Sequence, residues 1–448
     1  MQRIVVLVAV MVLATGAIAQ SPDQLSGEWL VRRDIFGQPW QYHRITFKVE
    51  NSKVTGTFAS GRKLEGTLEG NVLHFTSREG QSNIECTASI NGGAISGKFI
   101  ETKVDNPKDV QESVIKGTRV PLPRSGPPQR HEFIPTTFYR EFSPLTPPVL
   151  HISPGDTVHT TTVDAGGTDE RGVRRSLGGN PETGPFFIEK AVPGDTLVIH
   201  FSRIRLNRDY AISDDGIVDR ALDSEMAVKM KDVGKNVRWH LDRERMVGTS
   251  ELPGDHLKNF SVPLRPMLGC VAVAPGLGQA SPPTTDSGSW GGNMDFNEIV
   301  EGVTVYLSVR TPGALLYIGD GHAAQGDGEL NGDALETSME VEFTVEVISN
   351  KHPVASAARF GAAIRTPRVE SDSEIMTVGL GGTIEDALRA AISGMSQWLE
   401  QDYSLTPSEI SQVLGTSVQL HINEVADRNV GVSARLSKQR LRALAKKQ

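Results

Sequence analysis

Between residues 41 and 101, apolar and polar side chains alternate in short runs, at 41–49, 53–58, 63–68, 72–76, 85–90 and 94–101, each followed by turn-forming residues. A period of two places successive side chains on opposite faces of a strand, so each run predicts a strand with one buried face. Strands this short and this regularly spaced predict a small antiparallel barrel or sandwich over residues 20–120. The segment 121–130 then carries four prolines and a glycine. That composition favours an extended connector and marks a domain boundary.

Beyond it, from residue 131 to 448, Pro154-Gly-Asp-Thr-Val and Pro193-Gly-Asp-Thr-Leu recur, each a turn feeding an alternating run, at 158–162 and 197–201. Two copies are too few for a stacked solenoid, so they predict a repeated unit within a β-sandwich. Asp156 and Asp195 are read as turn formers. Residues 203–260 give a mixed pattern in which only Trp239-His-Leu-Asp242 has chemical interest, with His240 read as structural. Two helices are expected to close the chain. In the first, Thr383 is the cap, Asp386 holds the capping-box position, and Ile384, Leu388, Ile392, Met395 and Leu399 share one face. In the second, Thr406 is the cap, Pro407 opens the helix, Glu409 completes a capping box and Gly415 is the stop.

The first residues change the cellular picture. Met-Gln-Arg3, an apolar run from Ile4 to Ala14 and Gly16-Ala-Ile-Ala19 have the charge, core and cleavage pattern of a secretory signal peptide, over residues 1–19. The apolar run is too short for a membrane anchor. The mature chain is therefore expected in the periplasm or outside the cell, with no membrane attachment. Removing the leader takes away Arg3 and moves the formal charge from −8 to −9. A mildly acidic chain without a Lys/Arg patch excludes nucleic acid as the expected partner. Cys86 and Cys270 are the cysteines, and no spacing pattern pairs them. No His or Lys beside Cys270 would activate it as a nucleophile, and it reads as a small buried side chain in an apolar strand.

The chemistry concentrates where an apolar run ends in Gly319-Asp-Gly-His-Ala-Ala-Gln-Gly-Asp-Gly-Glu329. Asp320 and His322 project to the same side if strand geometry continues through them, and Asp327 and Glu329 repeat that spacing after Gly326. Imidazole and carboxylates hold a divalent ion while leaving a position for water, and glycines permit close approach. Upstream, Gly291-Gly-Asn-Met-Asp295 places two more oxygen-bearing side chains two residues apart. Spacing alone leaves a second reading open, an Asp/Gly-rich hairpin whose carboxylates cap turns.

Taken with Asn180-Pro-Glu-Thr-Gly-Pro-Phe-Phe-Ile-Glu189, Arg265-Pro-Met-Leu-Gly-Cys-Val-Ala-Val-Ala-Pro275 and Pro312-Gly-Ala-Leu-Leu316, these motifs occur in an order that resembles the acetamidase/formamidase family over roughly residues 131–440. The start Gly27-Glu-Trp29 is similar, over three residues, to lipocalin-type barrels. The family resemblance implies a mainly β fold, of β-sandwich or jelly-roll type with C-terminal helices, preceded here by the barrel-like domain. It also implies a metal-assisted hydrolase that cleaves short linear amides to carboxylate and ammonia. The metal is expected to be zinc, with manganese and calcium also compatible with mixed N/O ligands. His322 and Asp320 are the expected ligands, with Asp295 or Asp164 completing the set. Asp164, in the glycine-rich loop 162–169, is named because its family counterpart sits near the site. Glu329 is the expected general acid/base, although exchange with Asp327 fits nearly as well. Asn293 is expected to donate to an oxyanion or hold the substrate. A secreted binding module with a structural ion and a hydrolase of a cyclic amide are the alternatives. Open β edges and family precedent allow a homo-oligomer.

Overall fold

A computed structural model describes residues 25–444, apart from 59, 122–123, 231–232 and 350–363. The leader at 1–19 lies outside these. The chain divides into two compact units, one reaching to Arg119 without Pro39–Tyr42, the other made of Pro39–Tyr42 and the chain from Val120 onward.

In the first unit the alternation becomes a closed eight-stranded antiparallel barrel. The strand Ser82–Asn91 buries Ser82, Ile84, Cys86, Ala88 and Ile90 and exposes the residues between them. Two strands missing from the sequence reading, Gly27–Ile35 and Val110–Arg119, pair with each other, Trp29 opposite Arg119, and close the ring. Their pattern is obscured because they turn polar groups inward: buried Arg33 donates from Nε to Ser113 Oγ (2.8 Å) and reaches Glu101 at 3.1 Å. Closure removes the free strand edges that an open sheet exposes. Trp29 is fully buried, and its indole N–H donates to the Leu25 carbonyl at 2.8 Å.

The second unit contains an eleven-stranded and a nine-stranded sheet that share one apolar core. Phe186 of one sheet meets Phe343 of the other edge to face, with centroids 5.4 Å apart. The two repeated turns feed strands Thr157–Thr161 and Thr196–Leu206, which flank the same strand, Met339–Ile348. Both aspartates form the turn: Asp156 accepts from the Ser153 amide at 3.0 Å and Asp195 from the Val192 amide at 3.2 Å. Cys86 and Cys270 are buried free thiols, one in each unit.

The helices begin where the sequence places them. Thr383 accepts from the Asp386 amide ahead of Ile384–Tyr403, and the Thr406 and Glu409 capping box opens Pro407–Ser417. Two expectations need correction. The first helix buries Ala387, Ala391, Gly394, Met395, Trp398 and Leu399, with Leu388 and Ile392 half-buried against the same core, while Ile384 alone of the expected face is exposed. Small residues at the contact let the helix settle onto strand Glu374–Gly381, where Thr377 Oγ1 donates to the Ala391 carbonyl at 2.8 Å. The second helix runs through Gly415 to Ser417, and the chain continues into strands Gln419–Glu424 and Val430–Ser437. These late strands matter because the first of them enters the site. Among the described residues no helix is long and apolar enough to cross a membrane.

Candidate metal centre

Two fully buried strands, Met267–Val273 and Leu316–His322, run antiparallel at the centre of the larger sheet. In their register Gly269 lies opposite Asp320. A Cβ on Gly269 would collide with Asp295 Oδ1 and Asp320 Oδ2, so the absence of a side chain there is what admits two carboxylates. Strand pairing continues to His322, which pairs with Glu336 of the short strand Glu336–Thr337.

The result is an imidazole surrounded by acids. His322 Nε2 lies 3.2 Å from Glu336 Oε1, 3.6 Å from Asp320 Oδ2, 3.9 Å from Glu329 Oε1 and 4.0 Å from Asp295 Oδ1. Asp295, Asp320 and Glu329 adopt φ of 39°, 53° and 48°, left-handed values that non-glycine residues occupy only where surrounding structure enforces them. Asn293 donates to Asp295 Oδ2 at 2.7 Å and to Asp427 Oδ2 at 2.6 Å, extending the cluster toward Glu424 and Asp427.

Among the described residues, the cluster holds more carboxylates than cations. Burial, with Glu329 and Asp320 adding, pushes the Asp295 carboxyl well above its ordinary range. Burial likewise lifts Glu329, a shift that His322 opposes and Asp320 reinforces. Burial and Asp320 raise Glu336 to about 8, and burial raises Glu424 to about 8 and Asp427 to about 6. Burial works against a charged His322, yet the Glu336 and Asp320 carboxylates outweigh it and raise the imidazole. Both trends have one physical origin, carboxylates crowded together in a low-dielectric interior.

A divalent ion fits that deficit. His322 Nε2, Asp295 Oδ1, Asp320 Oδ1 and Glu424 Oε1 are buried without a hydrogen-bond partner. Ligand atoms of Asp295, His322 and Glu329, and of Asp320, His322 and Glu336, fall within 4.8 Å of one another. Ligands at the usual ~2.0–2.2 Å from one zinc ion stand about 3–3.5 Å apart, so a small inward movement would close either set. The mixed N/O donors suit zinc or manganese.

The residues named from sequence are placed as follows. Asp320, His322, Asp295, Glu329 and Asn293 meet in the cluster. Asp164 does not: its Oδ2 accepts from Arg208 at 2.7 Å, and its Oδ1 accepts the Thr168 amide at 2.8 Å. That buried ion pair uses the carboxylate structurally. Asp327 faces outward, half-exposed, accepting from Asn297 at 3.0 Å and lying 2.9 Å from His421 Nδ1. His240 is exposed, and Asp242 caps a turn at Glu244 and Arg245. Burial, with Glu182 and Asp320 adding, drives the Cys270 thiol up and away from thiolate chemistry. The sequence reading missed Glu336, Glu424, Asp427 and Glu182. Glu182 is fully buried with both oxygens unpartnered, and it sits inside the quoted motif 180–189, which was the available signal.

Fold and site together define a mainly β protein with a buried histidine–carboxylate centre that could hold a divalent cation. Comparison with known proteins sets a family beside this class: residues 277–433 match the Acetamidase/Formamidase family. A putative formamidase of Schizosaccharomyces pombe is 39% identical over 61 residues, 13% of this chain and 15% of the relative, so the match spans far less than two thirds of that protein. An acetamidase of Yersinia enterocolitica is 26% identical, with 71% of this chain and 95% of that one aligned at a TM-score of 0.58. A predicted acetamidase/formamidase of Thermoanaerobacter tengcongensis shares the fold at 24% identity and a TM-score of 0.58, covering 71% of this chain and 99% of its own.

Proposed function

We propose that the chain is an exported, metal-dependent hydrolase of short linear amides, releasing carboxylate and ammonia. The observation that carries the reading is His322 Nε2, buried and unpartnered, with four carboxylates within 4.0 Å, in a domain whose relatives are named acetamidase and formamidase. The leader pattern of residues 1–19 supports export.

An amide is a weak electrophile with a poor leaving group, so its hydrolysis requires an activated water, a stabilised oxyanion and a proton for the departing nitrogen. His322, Asp320, Asp295 and Glu336 would hold the ion, which when bound acidifies water and polarises a carbonyl. Glu329 takes the proton from the attacking water and passes it to the amide nitrogen. Its burial lifts its proton affinity, the direction needed by a carboxyl working near neutral pH. Asn293 has a different task from oxyanion donation. Its side-chain amide already donates to Asp295 and Asp427, and its Oδ1 accepts from Asn180 at 3.0 Å. Asn293 thus orients Asp295, and the side-chain nitrogen of Asn180 anchors Asn293 in turn.

The test is ammonia release from formamide, acetamide and propionamide by the purified mature chain, before and after chelation. Release that chelation abolishes and zinc restores is expected. Zinc-loaded, folded protein that releases none from all three would refute linear-amide hydrolysis; opening of a cyclic amide, which liberates no ammonia, would then be assayed by product mass.

A further inference from the structure

Within the motif 319–329, Gln325 has no part in the reading above, yet its side chain makes three contacts that converge on the centre. Gln325 Oε1 lies 2.8 Å from His322 Nδ1. Its Nε2 donates to the carbonyls of Asp295, at 2.6 Å, and Asn423, at 3.2 Å. The two carbonyls fix the amide's orientation, because only an N–H can face them. The oxygen must therefore face His322, and Nδ1 must carry the proton that this oxygen accepts. In the neutral imidazole, Nε2 is then left with its lone pair directed among the carboxylates.

The same loop is held from a second direction. The Gly328 amide donates to the Asn423 carbonyl at 3.0 Å, and the Val425 amide donates to the Gly328 carbonyl at 2.9 Å. The Asn423 carbonyl thus receives both the Gln325 side chain and the Gly328 backbone. Glu329 follows immediately, and Glu424 is the next residue on the opposing strand. The three segments that bring His322, Asp295 and Glu424 to the cluster are joined by one side-chain amide.

We infer that Gln325 is a positioning residue that sets His322 as a ligand through Nε2 and ties the loops bearing Asp295, Glu329 and Glu424 around it. This rests on the proposal that the cluster holds a divalent ion, and not on which substrate is cleaved. Outer partners of this kind orient a ligating histidine and raise its basicity, and losing one typically weakens metal binding by about 10–100-fold.

Zinc affinity of the mature chain, measured by competition with a chromophoric chelator, and the visible absorption of the cobalt-substituted protein test it in wild type, Gln325→Ala and Gln325→Glu. Gln325→Ala is expected to bind zinc about 10–100-fold more weakly with altered cobalt bands. Gln325→Glu keeps an acceptor for Nδ1–H and loses both donors, so it is expected to bind more tightly than the alanine variant; if Gln325→Ala fails to fold, the glutamate variant is compared with wild type for the same band change. Wild-type affinity and an unchanged cobalt spectrum in Gln325→Ala, or in Gln325→Glu where only that variant folds, would overturn the inference. A wild-type chain that binds zinc but cleaves no amide would remove the hydrolase reading alone, while a chain that binds no zinc would remove the metal centre and this inference with it.

Discussion

His322→Ala is expected to weaken zinc binding by more than about a thousandfold and to lower amide turnover at least as far, beyond what loss of an outer partner costs. Among the described residues His322 is the one nitrogen donor in the acid cluster, fully buried, and within 3.2–4.0 Å of four carboxylates. Removing it leaves oxygen donors alone and a void in a closely packed strand. The void costs about 2–3 kcal/mol of stability, so the melting temperature falls as well. Calorimetric zinc titration beside circular dichroism separates the two effects. A folded His322→Ala chain that binds zinc and turns over amide as wild type does would remove this residue from the centre.

Glu329→Gln is expected to keep its zinc and lose about 10²–10⁴-fold in turnover, because glutamine has the shape of the acid without its proton chemistry. The pH profile sharpens the test. A raised Glu329 pKa places the acidic limb of the rate profile above the usual carboxylate range, with activity lost as pH falls through it; Glu329→Gln should abolish that limb. Asp327→Asn is the matched control. Asp327 is half-exposed and lies 2.9 Å from His421, so its change should leave turnover within about twofold. The reverse pattern would exchange the roles of the two carboxylates.

Those two residues show where sequence stops being informative. Asp327 and Glu329 have the same spacing after Gly326, and nothing in the pattern separates them. The structure does so through backbone: Glu329 takes a left-handed φ of 48° that turns its side chain into the cluster, a choice set by the docking of residues 328 and 425. Asp320 and His322 were legible because strand alternation is local. Glu336 was not, since it meets His322 only through strand pairing, and Glu424 and Asp427 come from about a hundred residues downstream with no surrounding motif.

The fold follows the same division. Alternation located the inner barrel strands, and cap chemistry located both helix starts, because each signal lies within a few residues. Arg33, a long cation directed into the barrel, hid the alternation of the first strand. The helix face was legible at Leu388, Ile392, Met395 and Leu399, which pack on the core, but not at exposed Ile384, nor at Ala387, Ala391 and Gly394, which hydrophobicity ranks low and which are buried beside them. Asp164 was drawn to the site by family position, and the structure gives it to Arg208 instead.

Every expectation above depends on this acid-rich pocket holding a divalent ion through His322. Anomalous diffraction from crystals of the zinc-loaded mature chain, collected on either side of the zinc edge, tests that most directly. A peak bonded to His322 Nε2 and to carboxylates among Asp295, Asp320 and Glu336 is expected. Crystals of amide-hydrolysing protein with no peak at His322 would contradict it.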